Sequence, residues 1–210
     1  MGKPVKFCPK ELLDAFRKAR EGNQIIIDEY VCGYNELTHF FEILGTVFGY
    51  INSDILEKVT ILKYYREGEI SEHYRSVESM MEYEISMNFS ASTEQPSGSR
   101  TFLRLHRALA FASLFMKRLG ESRENDKSST LAYDSYNETL AQFHPWLIRK
   151  GVGVATYALG SCGDLLEKCR SDVGTIEEAQ EVLKDISKAM DDVYKETESL
   201  YTKYDLHGLP

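Results

Sequence analysis

Apolar side chains recur at helical spacing over most of this chain, and that period limits the possible folds more than any other feature. Between residues 35 and 65 they fall three or four positions apart, which places them on one face of an α-helix. An alternating strand does not give this pattern, so we predict one long helix here or two in series. The apolar positions are Leu37, Phe40, Phe41, Leu44, Val47, Phe48, Ile51, Ile55, Val59 and Leu62.

The same period returns in later stretches. "SEHYRSVESMMEYEISMNF" predicts a helix from Ser71, residues 99–120 predict a second helix, and residues 129–143 predict a third. Thr175, with Glu178 three positions later, forms a capping box for a long C-terminal helix. "QIIID" is too short to build a sheet. The predicted fold class is therefore all-α, with about eight helices by this count.

Length and charge narrow the possible functions. A chain of 210 residues can bury one core, so we predict a single domain over residues 1–210 and expect a monomer. The net charge of −8 disfavours a general nucleic-acid binder, because phosphate backbones select a basic surface. No apolar run approaches the ~20 residues of a membrane span, and the polar N-terminus is unlike a signal peptide. We expect a cytoplasmic protein.

Catalytic and metal-binding signals are absent from the sequence. The cysteines lack the close spacing of a metal site, so we interpret them as reduced structural thiols and predict neither a metal nor a cofactor. We find no nucleophile elbow, P-loop or zinc-protease motif, and an enzyme is therefore unsupported. The cysteines are Cys8, Cys32, Cys162 and Cys169.

An unusual face lies within "SRTFLRLHRALAFASLF". Arg100, Arg104 and Arg107 share one helical face, and Phe111 and Phe115 continue the same row. One interpretation is a solvated face whose arginine stems cover neighbouring rings. That explains one arginine better than three, because burial of an unpaired guanidinium costs several kcal/mol. The alternative is an anionic ligand with an apolar body, for which the planar fork of arginine suits a phosphate.

Polar residues also border the apolar face of the first long helix. Asp54 and Lys58 lie one turn apart there, and they have two ordinary interpretations: Asp54 as a helix cap, or the two residues as a solvated ion pair. His144 precedes Pro145 at a predicted helix junction, where a lone histidine is more often a cap or a core residue than a site residue. Trp146, the only tryptophan, fits either the core or a membrane interface. None of these residues decides the function alone.

The chain resembles the glycolipid transfer protein superfamily from about residue 25 to the C-terminus, whereas residues 1–30 match poorly. Five blocks carry the resemblance: "FFEILGTVFGYINSDILEKV", "SEHYRS", "PSGSRTFLRLHRAL", "DSYNETLAQFHPW" and "YTKYDLHGLP". It implies a two-layer helical sandwich that holds one sphingolipid. The lipid chains would lie in an internal hydrophobic pocket and the headgroup in a surface site.

Within the superfamily the chain is most similar to the branch that carries ceramide 1-phosphate. The resemblance implies a headgroup site made of Asp54, Lys58, Arg100, Arg104 and His144. Lys58 and the arginines stand where the sugar-binding branch has an asparagine and a stacking tryptophan, and that exchange suits a phosphate. A phenylalanine precedes the histidine where a tyrosine is expected, so a hydroxyl contact is in doubt at that point.

The implied function is non-vesicular transfer of ceramide 1-phosphate, or a similar phosphosphingolipid, between membranes. We expect peripheral contact with the Golgi, the plasma membrane or other internal membranes, through Trp146 and Lys150. Two alternatives stay open: a lipid sensor that does not transfer its ligand, and a helical scaffold whose arginines contact an acidic protein. The predicted pocket lining is Phe41, Leu44, Phe48, Phe111 and Phe115, although any one of them taken alone is more typical of a core residue.

Overall fold

The computed structural model describes residues 6–45, 48–92 and 94–210. Val47 of the predicted helical period, and the first five residues of the predicted domain, lie outside this part of the chain. Within the described ranges there are nine α-helices. They are α1 (Pro9–Ala19), α2 (Ile27–Ile43), α3 (Gly49–Glu67), α4 (Val77–Ser86), α5 (Gly98–Gly120), α6 (Ser128–Thr139), α7 (Trp146–Thr156), α8 (Cys162–Cys169) and α9 (Ile176–Tyr204).

The long apolar stretch forms two helices in series, one of the two predicted alternatives. The helix α2 ends at Ile43 and α3 begins at Gly49. Gly45 adopts φ 116, a backbone conformation that residues with a Cβ rarely reach, so the chain can turn between the two helices at this position.

Side chains cap the N-termini of several helices and so fix the residues at which these helices begin. The Ser97 hydroxyl accepts from the Arg100 backbone N–H at the start of α5, and the predicted Thr175 box starts α9. The predicted start at Ser71 is wrong, because residues Ser71–Tyr74 form a 3-10 turn and Ser76 caps α4 instead. The helix predicted over residues 129–143 ends at Thr139, and a 3-10 turn over Ala141–Phe143 follows.

The helix α5 is central to the fold. It packs most extensively against α9 and also contacts α3, α4 and α6, while α7 packs on α6. The helix α1 packs against α2 and α9 and buries Leu12 and Phe16, so part of the poorly matched N-terminal segment belongs to the core. That packing favours one domain over residues 1–210, which stays a prediction.

A short ribbon precedes α2. Its strands β1 (Arg20–Glu21) and β2 (Gln24–Ile25) pair antiparallel, so the "QIIID" segment contributes one very short strand. Two residues per strand leave the helical class of the fold unchanged. None of the helices in the described part of the chain combines the length and apolar character of a membrane span.

Candidate functional site

A cavity of about 570 Å³ lies between α2, α3, α5, α6 and α7. Most of its wall is apolar, and Tyr50, which is 88% exposed, marks the side on which it opens to solvent. Cavities of this size accommodate small molecules, and an apolar wall favours an apolar body. The apolar lining includes Leu37, Phe41, Phe48, Ile55, Leu105 and Phe111.

Four cationic side chains line the same cavity, and we call Lys58, Arg100, Arg104 and Arg107 the cationic cluster. Asp54 and His144 also line this cavity, so all five residues of the predicted headgroup site border it. The part of this α5 face from Arg100 to Phe111 therefore borders one cavity. An arginine at a cavity wall can bind an anion through parallel hydrogen bonds while the apolar part of the ligand enters the cavity.

The Asp54–Lys58 pair is an ion pair within α3. Lys58 Nζ lies 2.6 Å from Asp54 Oδ1, whereas the alternative of Asp54 as a helix cap is wrong, because α3 begins five residues earlier at Gly49. The two partners differ in burial: 12% of the Lys58 side chain is exposed, against 64% of the Asp54 side chain. Lys58 thus holds its ammonium at the cavity wall, and Asp54 keeps acceptor capacity towards solvent.

The arginines of α5 meet the C-terminal residues of the chain. Arg100 Nε and Arg104 Nη2 each donate to the Pro210 main-chain oxygen at 2.7 Å. Arg107 Nη2 donates to the His207 carbonyl at 2.9 Å, and its guanidinium lies 4.2 Å from the centre of the Phe143 ring. Burial lowers the pKa of Arg107, and the charge of Arg104 lowers it further.

A buried carboxylate fixes the first turn of α5. Glu84, fully buried on α4, accepts hydrogen bonds from the backbone N–H groups of Gly98 at 2.6 Å and Ser99 at 2.9 Å, and from the Tyr74 hydroxyl at 2.6 Å. A carboxylate at a helix N-terminus satisfies free N–H groups and complements the helix dipole. A Cβ at Gly98 would lie 2.5 Å from Met80 Sδ, so only glycine permits this approach. No sequence pattern indicated this role for Glu84.

His144 is half-buried and forms a hydrogen bond with a tyrosine of α6. Its Nδ1 lies 2.8 Å from the Tyr136 hydroxyl, and burial lowers its pKa, while Asp54 acts in the opposite direction. When the hydroxyl donates, the neutral imidazole carries its proton on Nε2, which can then donate to a ligand. Tyr136 thus supplies a hydroxyl contact to the histidine from another element, and no sequence pattern predicted this contact.

Three of the five predicted lining residues line the cavity, and two do not. Phe41, Phe48 and Phe111 belong to its wall. Phe115 is fully buried one turn beyond Phe111, where it packs on Phe40 at 5.9 Å between ring centres, and Leu44 is likewise buried outside the lining. Both are core residues, because the apolar face of each helix extends beyond the cavity.

Trp146 is 63% exposed at the start of α7, so the interpretation of this residue as core is wrong. Leu147 and Ile148 are exposed beside it, and Lys150 Nζ lies 5.7 Å from the centre of the indole ring. Exposed apolar side chains next to a cation suit a membrane interface. Membrane contact through Trp146 and Lys150 stays a prediction.

The cysteines are separate free thiols, Cys162 and Cys169 buried and Cys8 and Cys32 nearer the surface. Within residues 6–45, 48–92 and 94–210, no three histidine, cysteine or acidic side chains form a group that could hold a metal ion.

Comparison with known proteins identifies close relatives. The family model "Glycolipid transfer protein (GLTP)" matches residues 25–171. The ceramide-1-phosphate transfer protein of Xenopus tropicalis is 37% identical over 211 residues, covering 98% of this chain and 97% of the relative. The human protein of the same name is 36% identical over 209 residues, covering 97% of each chain.

A solved structure extends the likeness to three dimensions. The human ceramide-1-phosphate transfer protein in complex with 2:0 ceramide-1-phosphate superposes with a TM-score of 0.90 at 35% identity, covering 98% of this chain and 100% of the other. This match confirms the predicted all-helical fold class.

Proposed function

The chain belongs to the glycolipid transfer protein family, and on this premise we propose that it transfers ceramide 1-phosphate between membranes. One observation carries the proposal: the cationic cluster and the apolar rings line a single cavity. The two parts match the opposite ends of one amphiphile, whose phosphate meets the cations while its hydrocarbon chains enter the cavity. The names of the relatives agree with this substrate.

The headgroup is divided between two sets of side chains. Lys58, Arg100 and Arg104 bind the phosphate, because charge-assisted and bidentate hydrogen bonds are the strongest that side chains offer. Asp54 accepts from the ceramide amide N–H and hydroxyl, and His144 donates from Nε2 to the amide carbonyl. The first set selects the phosphate, and the second recognises the part common to sphingolipids.

The site disfavours sugar headgroups because it has no tryptophan on which a sugar could stack. The only tryptophan of the chain, Trp146, is exposed on α7 outside the cavity lining, so no indole is available to stack on a sugar. A neutral sugar would also leave the cations of the cluster without the anion that offsets their desolvation.

The cavity replaces the bilayer as a solvent for the chains. Exposure of a lipid chain to water costs roughly 0.8 kcal/mol per methylene, so spontaneous desorption is slow and a carrier must take the chain directly from the membrane. The exposed side chains of α7, including Trp146 and Lys150, provide the transient membrane contact. The protein acts as a cytoplasmic monomer that touches the Golgi, plasma membrane or other internal membranes peripherally, and it is not an enzyme.

Vesicle-to-vesicle transfer tests this proposal. We measure transfer of ceramide 1-phosphate, glucosylceramide, ceramide and phosphatidic acid from donor to acceptor vesicles by mass spectrometry of the separated vesicles. We expect ceramide 1-phosphate to move at least ~10-fold faster than glucosylceramide, because hydrogen bonds to charged groups contribute ~1.5–3 kcal/mol each. Rapid phosphatidic acid transfer would show that the amide contacts do not select the lipid.

Three outcomes would contradict the proposal. Equal rates for phosphate and sugar headgroups would remove the role of the cationic cluster. Binding of ceramide 1-phosphate without transfer would indicate a lipid sensor. Failure to bind any of these lipids would favour the scaffold alternative.

A further inference from the structure

The chain turns back on itself after α9. Asp205 adopts the left-handed conformation with φ 54, and the Leu206 N–H donates to the Tyr201 carbonyl at 3.0 Å, which ends the helix. We call residues 205–210 the C-terminal strap. It runs from the end of α9 onto α5 and reaches Arg100.

The strap presents main-chain oxygens to the arginines of the cationic cluster. One oxygen, that of Pro210, accepts from both Arg100 and Arg104, which lie one helical turn apart, at 2.7 Å each. A second, that of His207, accepts from Arg107 at 2.9 Å. These contacts link each arginine of the cluster to the strap.

We propose that the C-terminal strap is a positioning element of the headgroup site, which holds the Arg100 and Arg104 guanidiniums ready for the phosphate. The proposal rests on the function proposed above. It assigns a role to main-chain atoms of residues 207–210, which lie outside the five side chains of the predicted headgroup site.

Electrostatics supports this role. Two guanidiniums one turn apart repel each other in the lipid-free protein, and an oxygen bound to both offsets that repulsion. An arginine has five N–H donors; in the described residues Arg104 uses one of them on the strap and Arg100 uses one on the strap and one on Ser92. Donors therefore remain for a phosphate after the strap has restricted both side chains.

The strap is itself anchored to the core. Leu206 is buried, and Leu209 packs against the core cluster while remaining partly exposed. Between them, Gly208 lies in open space, since a Cβ placed there would meet no atom within 4 Å. Leu209 is therefore the apolar anchor next to Pro210.

Calorimetric titration of the full chain tests the proposal with Leu209→Gly, which removes the anchor and adds no charge. Short-chain ceramide 1-phosphate and short-chain ceramide are the two probes. We expect the Kd for the phosphorylated lipid to rise about tenfold, because two arginines must then be immobilised on binding. We expect the Kd for ceramide to change less than about twofold, since ceramide lacks the group that the arginines bind.

Two control variants separate anchoring from general effects of substitution. Leu209→Met keeps an apolar anchor and should bind both lipids like the wild type. Gly208→Ala adds a methyl group where space is open, and it should also bind both lipids like the wild type. If Leu209→Gly lost the same affinity for both lipids, the strap would have a merely structural role, and this result would overturn the proposal. Unchanged or tighter binding of ceramide 1-phosphate by Leu209→Gly would overturn it too, the latter by showing that the strap blocks the site.

The wild-type titration distinguishes this proposal from the proposed function. Wild-type chain that fails to bind ceramide 1-phosphate would contradict the function and, with it, the role of the strap. Wild-type binding that Leu209→Gly leaves intact would contradict the strap alone.

Discussion

We expect Arg104→Leu and Lys58→Ala each to impair the transfer of ceramide 1-phosphate severely and to leave the helical fold intact. Each substitution removes a charged donor from the phosphate site, and such hydrogen bonds contribute ~1.5–3 kcal/mol each. The other cations of the cluster also keep their mutual repulsion and their desolvation cost. We therefore expect the transfer rate of ceramide 1-phosphate to fall about 100-fold. The rate is measured between vesicles, and circular dichroism checks the fold.

Matched variants control for the loss of a charge. Arg17→Leu removes an exposed arginine that pairs with Asp185, and Lys63→Ala removes an exposed lysine from the same helix as Lys58. Both controls should transfer like the wild type, because exposed charges away from the cavity contribute little. Normal transfer by Arg104→Leu and Lys58→Ala would show that the phosphate binds elsewhere.

Ala108→Trp blocks transfer by a different route, because it fills the cavity and leaves the cationic cluster unchanged. Ala108 lies one turn after Arg104 on α5 and lines the cavity. An indole there occupies the space that the lipid chains need, and closely packed neighbours relieve such overpacking only at a cost. We expect the transfer rate of long-chain ceramide 1-phosphate to fall below about a tenth of the wild-type rate.

Thr60→Trp is the control for the added ring. Thr60 is exposed on α3 and does not line the cavity, so this variant should transfer normally. Thermal unfolding of both variants separates a blocked cavity from a destabilised fold. Unimpaired transfer by a folded Ala108→Trp protein would show that the chains do not enter this cavity.

The sequence pattern predicts the helices well because burial of one face imposes their period. It fails at boundaries where local backbone conformation decides. Ser71 has a side chain that could cap a helix, yet the chain forms a 3-10 turn there, and Ser76 caps α4 instead. The break after α2 requires a positive φ, which periodicity alone cannot reveal.

The candidate site was predictable where side chains carry the chemistry. The arginines on an apolar face, together with the resemblance, predict the residues that the structure brings to one cavity. The proposed positioning of the arginines by the strap was not predictable, because every residue has a main-chain oxygen and residue type does not show which of them accept hydrogen bonds from arginines. Glu84 was missed because a carboxylate on a helix usually faces solvent, and only the fold places it beneath the start of α5.

A crystal structure of the chain with ceramide 1-phosphate tests most directly whether one lipid occupies both parts of the site. We expect electron density for the phosphate within hydrogen-bond distance of Lys58, Arg100 and Arg104, continuous with hydrocarbon density beside Phe111. Phosphate density away from these three side chains, with the cavity free of hydrocarbon, would contradict a single site for the whole amphiphile.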